Sequence, residues 1–116
     1  MTIRERVKQI QIDLRDHAVT PQMARTHVVA LTALYGNVMD EQAAADIAYK
    51  RVLLGHYETE KTANRAKLKA ETSAEYVRFT EARNLEKLMI EMIRSCKAWI
   101  RSQDEELRMS LERRQL

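Results

Sequence analysis

The sequence predicts an all-α protein: two short N-terminal helices followed by a long antiparallel helical hairpin, coiled-coil-like and oligomeric. Two observations lead there. The 116 residues contain only two Gly and one Pro, far below average usage, which leaves few tight turns and nearly excludes a sheet built from hairpins. From Ala74 to Leu116 neither residue occurs at all, so no helix breaker interrupts that stretch. Along it Ala82, Leu85, Met89, Met92, Ile93, Cys96, Ile100, Leu107 and Leu111 fall on one apolar stripe at helical spacing. Leu88 and Trp99 widen the stripe on its flanks.

The first helix starts at a capping box, Thr2-Ile3-Arg4-Glu5, in which Thr2 is the N-cap and Glu5 stands at N3. Ile3, Val7, Ile10 and Leu14 then repeat at 4-3-4 spacing, an apolar seam for a helix over about 3–16. The period is lost at Asp16-His17-Ala18-Val19 and resumes after Thr20-Pro21, where Thr can cap and Pro suits the first helical position. Ala24, Val28, Leu31, Leu34 and Tyr35 form the apolar face of this second helix, and Gly36-Asn37 is the expected stop. This pair of helices defines a leading segment, 1–37, with 38–116 as the hairpin of the same single domain.

The first hairpin arm is expected over 40–71. Asp40 and Glu41 suit the positive end of a helix, and Ala43, Ala44, Ala45 and Ala48 allow another helix to come close. Gly55 implies a bend or a closely passing backbone. Beyond it the apolar content falls to small residues and Leu68, so this half of the arm is expected to project. Thr72 with Glu75, or Ser73 alone, caps the next helix with almost no loop, which makes the arms antiparallel neighbours. The second arm, 73–113, would be about 60 Å long and the first about 48 Å, against a radius of gyration of about 13 Å for a compact chain of this size. Two short helices cannot cover a stripe of that length. Other copies or a partner are therefore expected to cover it, with Leu85, Met89, Met92, Ile93, Cys96 and Ile100 as the interface between copies.

Lys and Arg number 20 against 17 acids, for a net charge of +3. That balance favours an acidic partner without marking a dedicated DNA-coating protein. Cys96 has no partner for an intrachain disulfide and sits on the apolar stripe, so it reads as a core thiol in a reducing, cytoplasmic setting. No signal peptide, membrane-spanning run or membrane partner is expected.

Enzyme chemistry needs residues gathered at one point. No Gly-rich phosphate loop, nucleophile elbow, HExxH or CxxC is present, and the three His are scattered. The expectation is a non-enzymatic protein with no cofactor and no metal. The functional signal is cationic. Lys87, Arg94, Arg101 and Arg108 recur every seventh residue beside the apolar stripe, with Arg83 and Lys97 on the same side. Acids pair with part of this ladder, but Ala98 stands where an acid would serve Arg94, Lys97 and Arg101. Lys61, Arg65 and Lys69 form a second column, at i, i+4 and i+8, with no acid four residues away on it. These six are the expected nucleic-acid contacts. The nearby aromatics are few, Tyr57, Tyr76, Phe79 and Trp99, so binding should be led by the phosphate backbone and depend on salt.

The short leading helices, the small-residue segment Ala63-Asn64-Arg65-Ala66-Lys67 and the long basic closing helix resemble small proteins of tailed bacteriophages. Within that group the layout is similar to phage recombination mediators, with Ile90 to Arg108, IEMIRSCKAWIRSQDEELR, the part that looks closest. The resemblance implies an oligomer that binds single-stranded DNA and helps load a recombinase, with Arg94, Lys97 and Arg101 contacting the strand. The alternative is a protein–protein interaction module, such as a virion component, an adaptor or an inhibitor of a host defence enzyme, whose basic stripe grips an acidic protein face.

Overall fold

A computed structural model describes residues 1–16 and 18–115. His17, placed in the first predicted break, and Leu116, the end of the predicted hairpin, lie outside the described residues. Those described form four α-helices and no strand: α1 (Ile3–Asp16), α2 (Pro21–Thr59), α3 (Ala63–Ala70) and α4 (Ala74–Gln115). No helix among them is long and apolar enough to cross a membrane. The chain divides into two compact units, one of Met1–Tyr35 with Leu88–Leu116 and one of Gly36–Lys87. Both α2 and α4 contribute to each unit.

In the first unit the local signals act as read. The Glu5 amide donates to Thr2 Oγ1 at 3.2 Å while Glu5 Oε2 accepts from the Thr2 amide at 3.4 Å, so each residue satisfies a donor that a helix start leaves open. Thr20 Oγ1 accepts from the Met23 amide at 3.1 Å, one residue ahead of Pro21 at the first helical position. The core of this unit holds Val7 and Ile10 from α1, Ala24, Leu31 and Leu34 from α2, and Met89, Met92 and Cys96 from α4.

That core corrects the expectation about the stripe. Met89 is 0% exposed, and Met92 and Cys96 are buried, within a single chain. Ile93 and Ile100 are half-buried here, as is Leu85 in the other unit. The apolar faces of α1 and the first part of α2 lie in the same compact unit and supply cover that arm length alone did not foretell. Burial also pushes the Cys96 thiol above its ordinary pKa, which disfavours the thiolate.

The second unit is built on small side chains. Ala45, Ala66, Ala70 and Ala82 are buried together with Val38, so helices meet through methyl groups and backbone. An aromatic cluster adds area: the Tyr49 ring stacks on Phe79 with centroids 5.3 Å apart and tilts against Tyr76 at 5.2 Å. Tyr76 and Phe79, expected near the basic patches, are thus committed to packing. Ser73 Oγ accepts from the Tyr76 amide at 3.2 Å and caps α4, and only Glu71, Thr72 and Ser73 separate α3 from α4.

Two predicted breaks are corrected. The second and third predicted helices are one, because α2 runs through Gly36 and Asn37 to Thr59. Gly36 has no positive φ, and Leu34 and Val38 on either side of it are buried. Their packing outweighs the cost of about 1 kcal/mol for a glycine inside a helix. Gly55 also lies inside α2, with nothing within 4 Å of where a Cβ would stand, so no closely passing backbone explains it. The real interruption comes at residues 60–62. The Thr59 hydroxyl donates back to the carbonyls of Gly55 and His56. Thr62 is extended, with φ −133° and ψ 150°, and its hydroxyl accepts from the Arg65 amide to start α3. Threonine hydroxyls offer the backbone an alternative to continuing a helix.

Arg78 and Glu41 join α4 to α2 in this unit by a two-pronged contact, Nε to Oε1 at 2.7 Å and Nη2 to Oε2 at 3.1 Å. The Arg78 guanidinium holds the Glu41 carboxyl below the ordinary glutamate range. A carboxyl whose pKa is depressed by folding adds stability that is present above its unfolded value and lost as pH falls through the folded one. Thermal melts from neutral to acid pH should show wild type losing its margin over Glu41→Gln below the ordinary glutamate range. Parallel pH curves for the two proteins would show that the contact adds nothing.

Candidate nucleic-acid interface

One uninterrupted helix, α4, sets the angles of the basic ladder. Arg94, Lys97 and Arg101 stand at i, i+3 and i+7, so they share one side within about 10 Å of axis. All three are exposed. Arg94 is not the free cation the spacing implied: its Nη1 lies 3.5 Å from Glu91 Oε1, with 74% and 71% of the two side chains exposed. A contact that long and that open to water is screened and readily exchanged for a phosphate. Lys97 and Arg101 make no ion pair among the described residues. Further along, the ladder is neutralised as expected, with Arg108 Nη2 3.3 Å from Glu105 Oε1. Asp104 instead takes Arg25 of α2 at 3.1 Å.

The second column does not survive folding. The break at 60–62 leaves Lys61 outside α3, so the even spacing of Lys61, Arg65 and Lys69 along one helix is lost. Lys69 is paired with Glu60. That acid stood one residue before the column, and the interruption brings it onto the face of α3. The Lys69 hydrogen bond is the main reason the Glu60 carboxyl is held low, and the charges of Lys69, Arg65 and His56 lower it further. Thr62 was the available signal, since a threonine three residues before Arg65 can cap a new helix.

Back in the first unit, Arg94 and Lys97 are more than surface charge. With Tyr35 of α2 and with Ile90 and Ile93 they line an open groove of about 270 Å³. Tyr35 is half-buried and reads in the sequence only as part of an apolar face. Another open groove, of about 450 Å³, lies in the second unit between Met39, Ala43 and Phe79, with Asp46, Arg83 and Glu86 at its edges. Its mixed charges favour no anion. No group of three or more His, Cys, Asp and Glu able to hold a metal ion occurs among the described residues.

No protein-family model, curated protein or solved structure matches the chain.

Proposed function

We propose that the chain is a non-enzymatic, self-associating helical protein that binds nucleic acid through the basic side of α4, acting in the cytoplasm as a recombination or replication accessory of the mediator type. The observation that carries this reading is the exposed set Arg94, Lys97 and Arg101, two of them without any ion pair among the described residues and the third held only by a long, solvated one. A few cations on one copy bind a phosphate backbone weakly. Repetition over several copies multiplies the contacts and makes affinity steeply dependent on salt.

Self-association draws support from the far end of α4. Leu107, Met109 and Leu111 are 62%, 43% and 49% exposed, and Leu107 and Leu111 continue the stripe that Met89 and Cys96 bury. The coiled-coil hairpin is proposed to be completed there, between copies, rather than at Met89. Light scattering at micromolar concentration should give a multiple of the 13.6 kDa chain mass, rising when a single-stranded oligonucleotide is added. Leu107→Asp should lower the mass and weaken binding even though every cation remains. A clean monomer whose mass an oligonucleotide leaves unchanged would overturn the reading and favour an acidic protein as the partner.

A further inference from the structure

Charge alone does not account for the groove at Tyr35. Exposed cations suffice to hold phosphates, and they need no apolar floor. Here Arg94 and Lys97 border a depression whose other walls are the Tyr35 ring and the branched side chains of Ile90 and Ile93. A lining of one aromatic ring, two aliphatic groups and two cations fits a ligand that is flat and apolar in one part and anionic in the next. At about 270 Å³ and open to solvent, the groove lies below the roughly 300–1,000 Å³ that encloses a drug-sized ligand. It admits one ring of a polymer that continues past it, rather than a whole cofactor.

We infer that the groove takes one unpaired nucleotide, with its base against the Tyr35 ring over Ile90 and Ile93 and its phosphate beside Arg94 and Lys97. The inference rests on the nucleic-acid reading above and adds to it a subsite for one base, at Tyr35. Bases in a duplex are paired and stacked on each other, so only a single strand can offer one to Tyr35. Every base has a π-face, so the contact tolerates any sequence. The solvated contact of Arg94 with Glu91 is no obstacle, since a phosphate competes for the same guanidinium on better terms. Lys97, without an ion pair among the described residues, needs no release. A small base-stacking term thus joins a phosphate-led one on the same face of α4.

The test compares strands on the wild-type protein by fluorescence anisotropy at low salt. The probes are an oligothymidylate of about 15 nucleotides, at the upper end of what one binding module covers, an abasic strand of equal length, and a duplex of equal length. The expected result is at least tenfold tighter binding of the oligothymidylate than of either other probe, with most of that preference lost in Tyr35→Leu. Equal affinity for the oligothymidylate and the abasic strand, or for single strand and duplex, overturns the inference while the phosphate-led reading stands. Absence of binding to all three probes at low salt overturns both. If a circular dichroism melt shows Tyr35→Leu unfolded, the wild-type comparison of the three probes decides alone.

Discussion

Met89→Lys is expected to unfold the unit formed by residues 1–35 and 88–116, not merely to separate copies of the chain. Met89 is 0% exposed and shares its unit with the fully buried Val7, Ala24 and Leu31. Truncation to alanine there should cost about 2–5 kcal/mol, as for other large-to-small changes in cores. An ammonium at the same place adds a desolvation penalty of several kcal/mol with no carboxylate to meet it, because no charged residue is buried among the described residues. Whole-domain stability is only about 5–15 kcal/mol, so the sum is decisive. Circular dichroism should show a large loss of helix at 25 °C for Met89→Lys. Leu107→Lys, at the exposed end of the same stripe, should melt like wild type at low concentration. A Met89→Lys protein that keeps the wild-type melt would mean that this stripe faces solvent.

Reversing Arg94 and Arg101 together to Glu should abolish oligonucleotide binding without changing the melt. Both side chains are exposed and neither supports the core. If each charge-assisted hydrogen bond to a phosphate is worth about 1.5 kcal/mol, removing two weakens binding by roughly a hundredfold or more. Repulsion from the new carboxylates adds to that. Lys69→Gln is the informative contrast: its ammonium is already held by Glu60, so its loss should matter far less. If Lys69→Gln and the double reversal weakened binding equally, net charge rather than the α4 surface would be responsible.

These expectations differ from those of the bare sequence, and the reason is physical distance along the chain. The caps at Thr2, Thr20 and Ser73 were readable because a hydroxyl and the amide it serves are three residues apart. The unbroken α4 was readable for the same reason: nothing local stops it. Gly36-Asn37 misled because the penalty for a glycine is local, whereas the burial of Leu34 and Val38 that overrides it comes from other segments. Coverage of Met89 by the chain's own N-terminal helices depends on residues far from it in sequence, and helical periodicity carries no information about them. Lys69 looked free because its acid is not on its helical column, and only the Thr62 cap brings Glu60 to it. Tyr35 was visible as an apolar residue. Its meeting with Arg94 and Lys97 was not, because the two lie on different helices.

The most direct measurement of the central claim is the affinity of the wild-type protein for a single-stranded oligonucleotide, titrated by anisotropy over a range of salt concentrations. If Arg94, Lys97 and Arg101 neutralise phosphates, the logarithm of the binding constant falls linearly with the logarithm of salt, with a slope of about −2 for three cations on one copy and steeper when copies act together. A flat dependence, or no binding at the lowest salt, would contradict it.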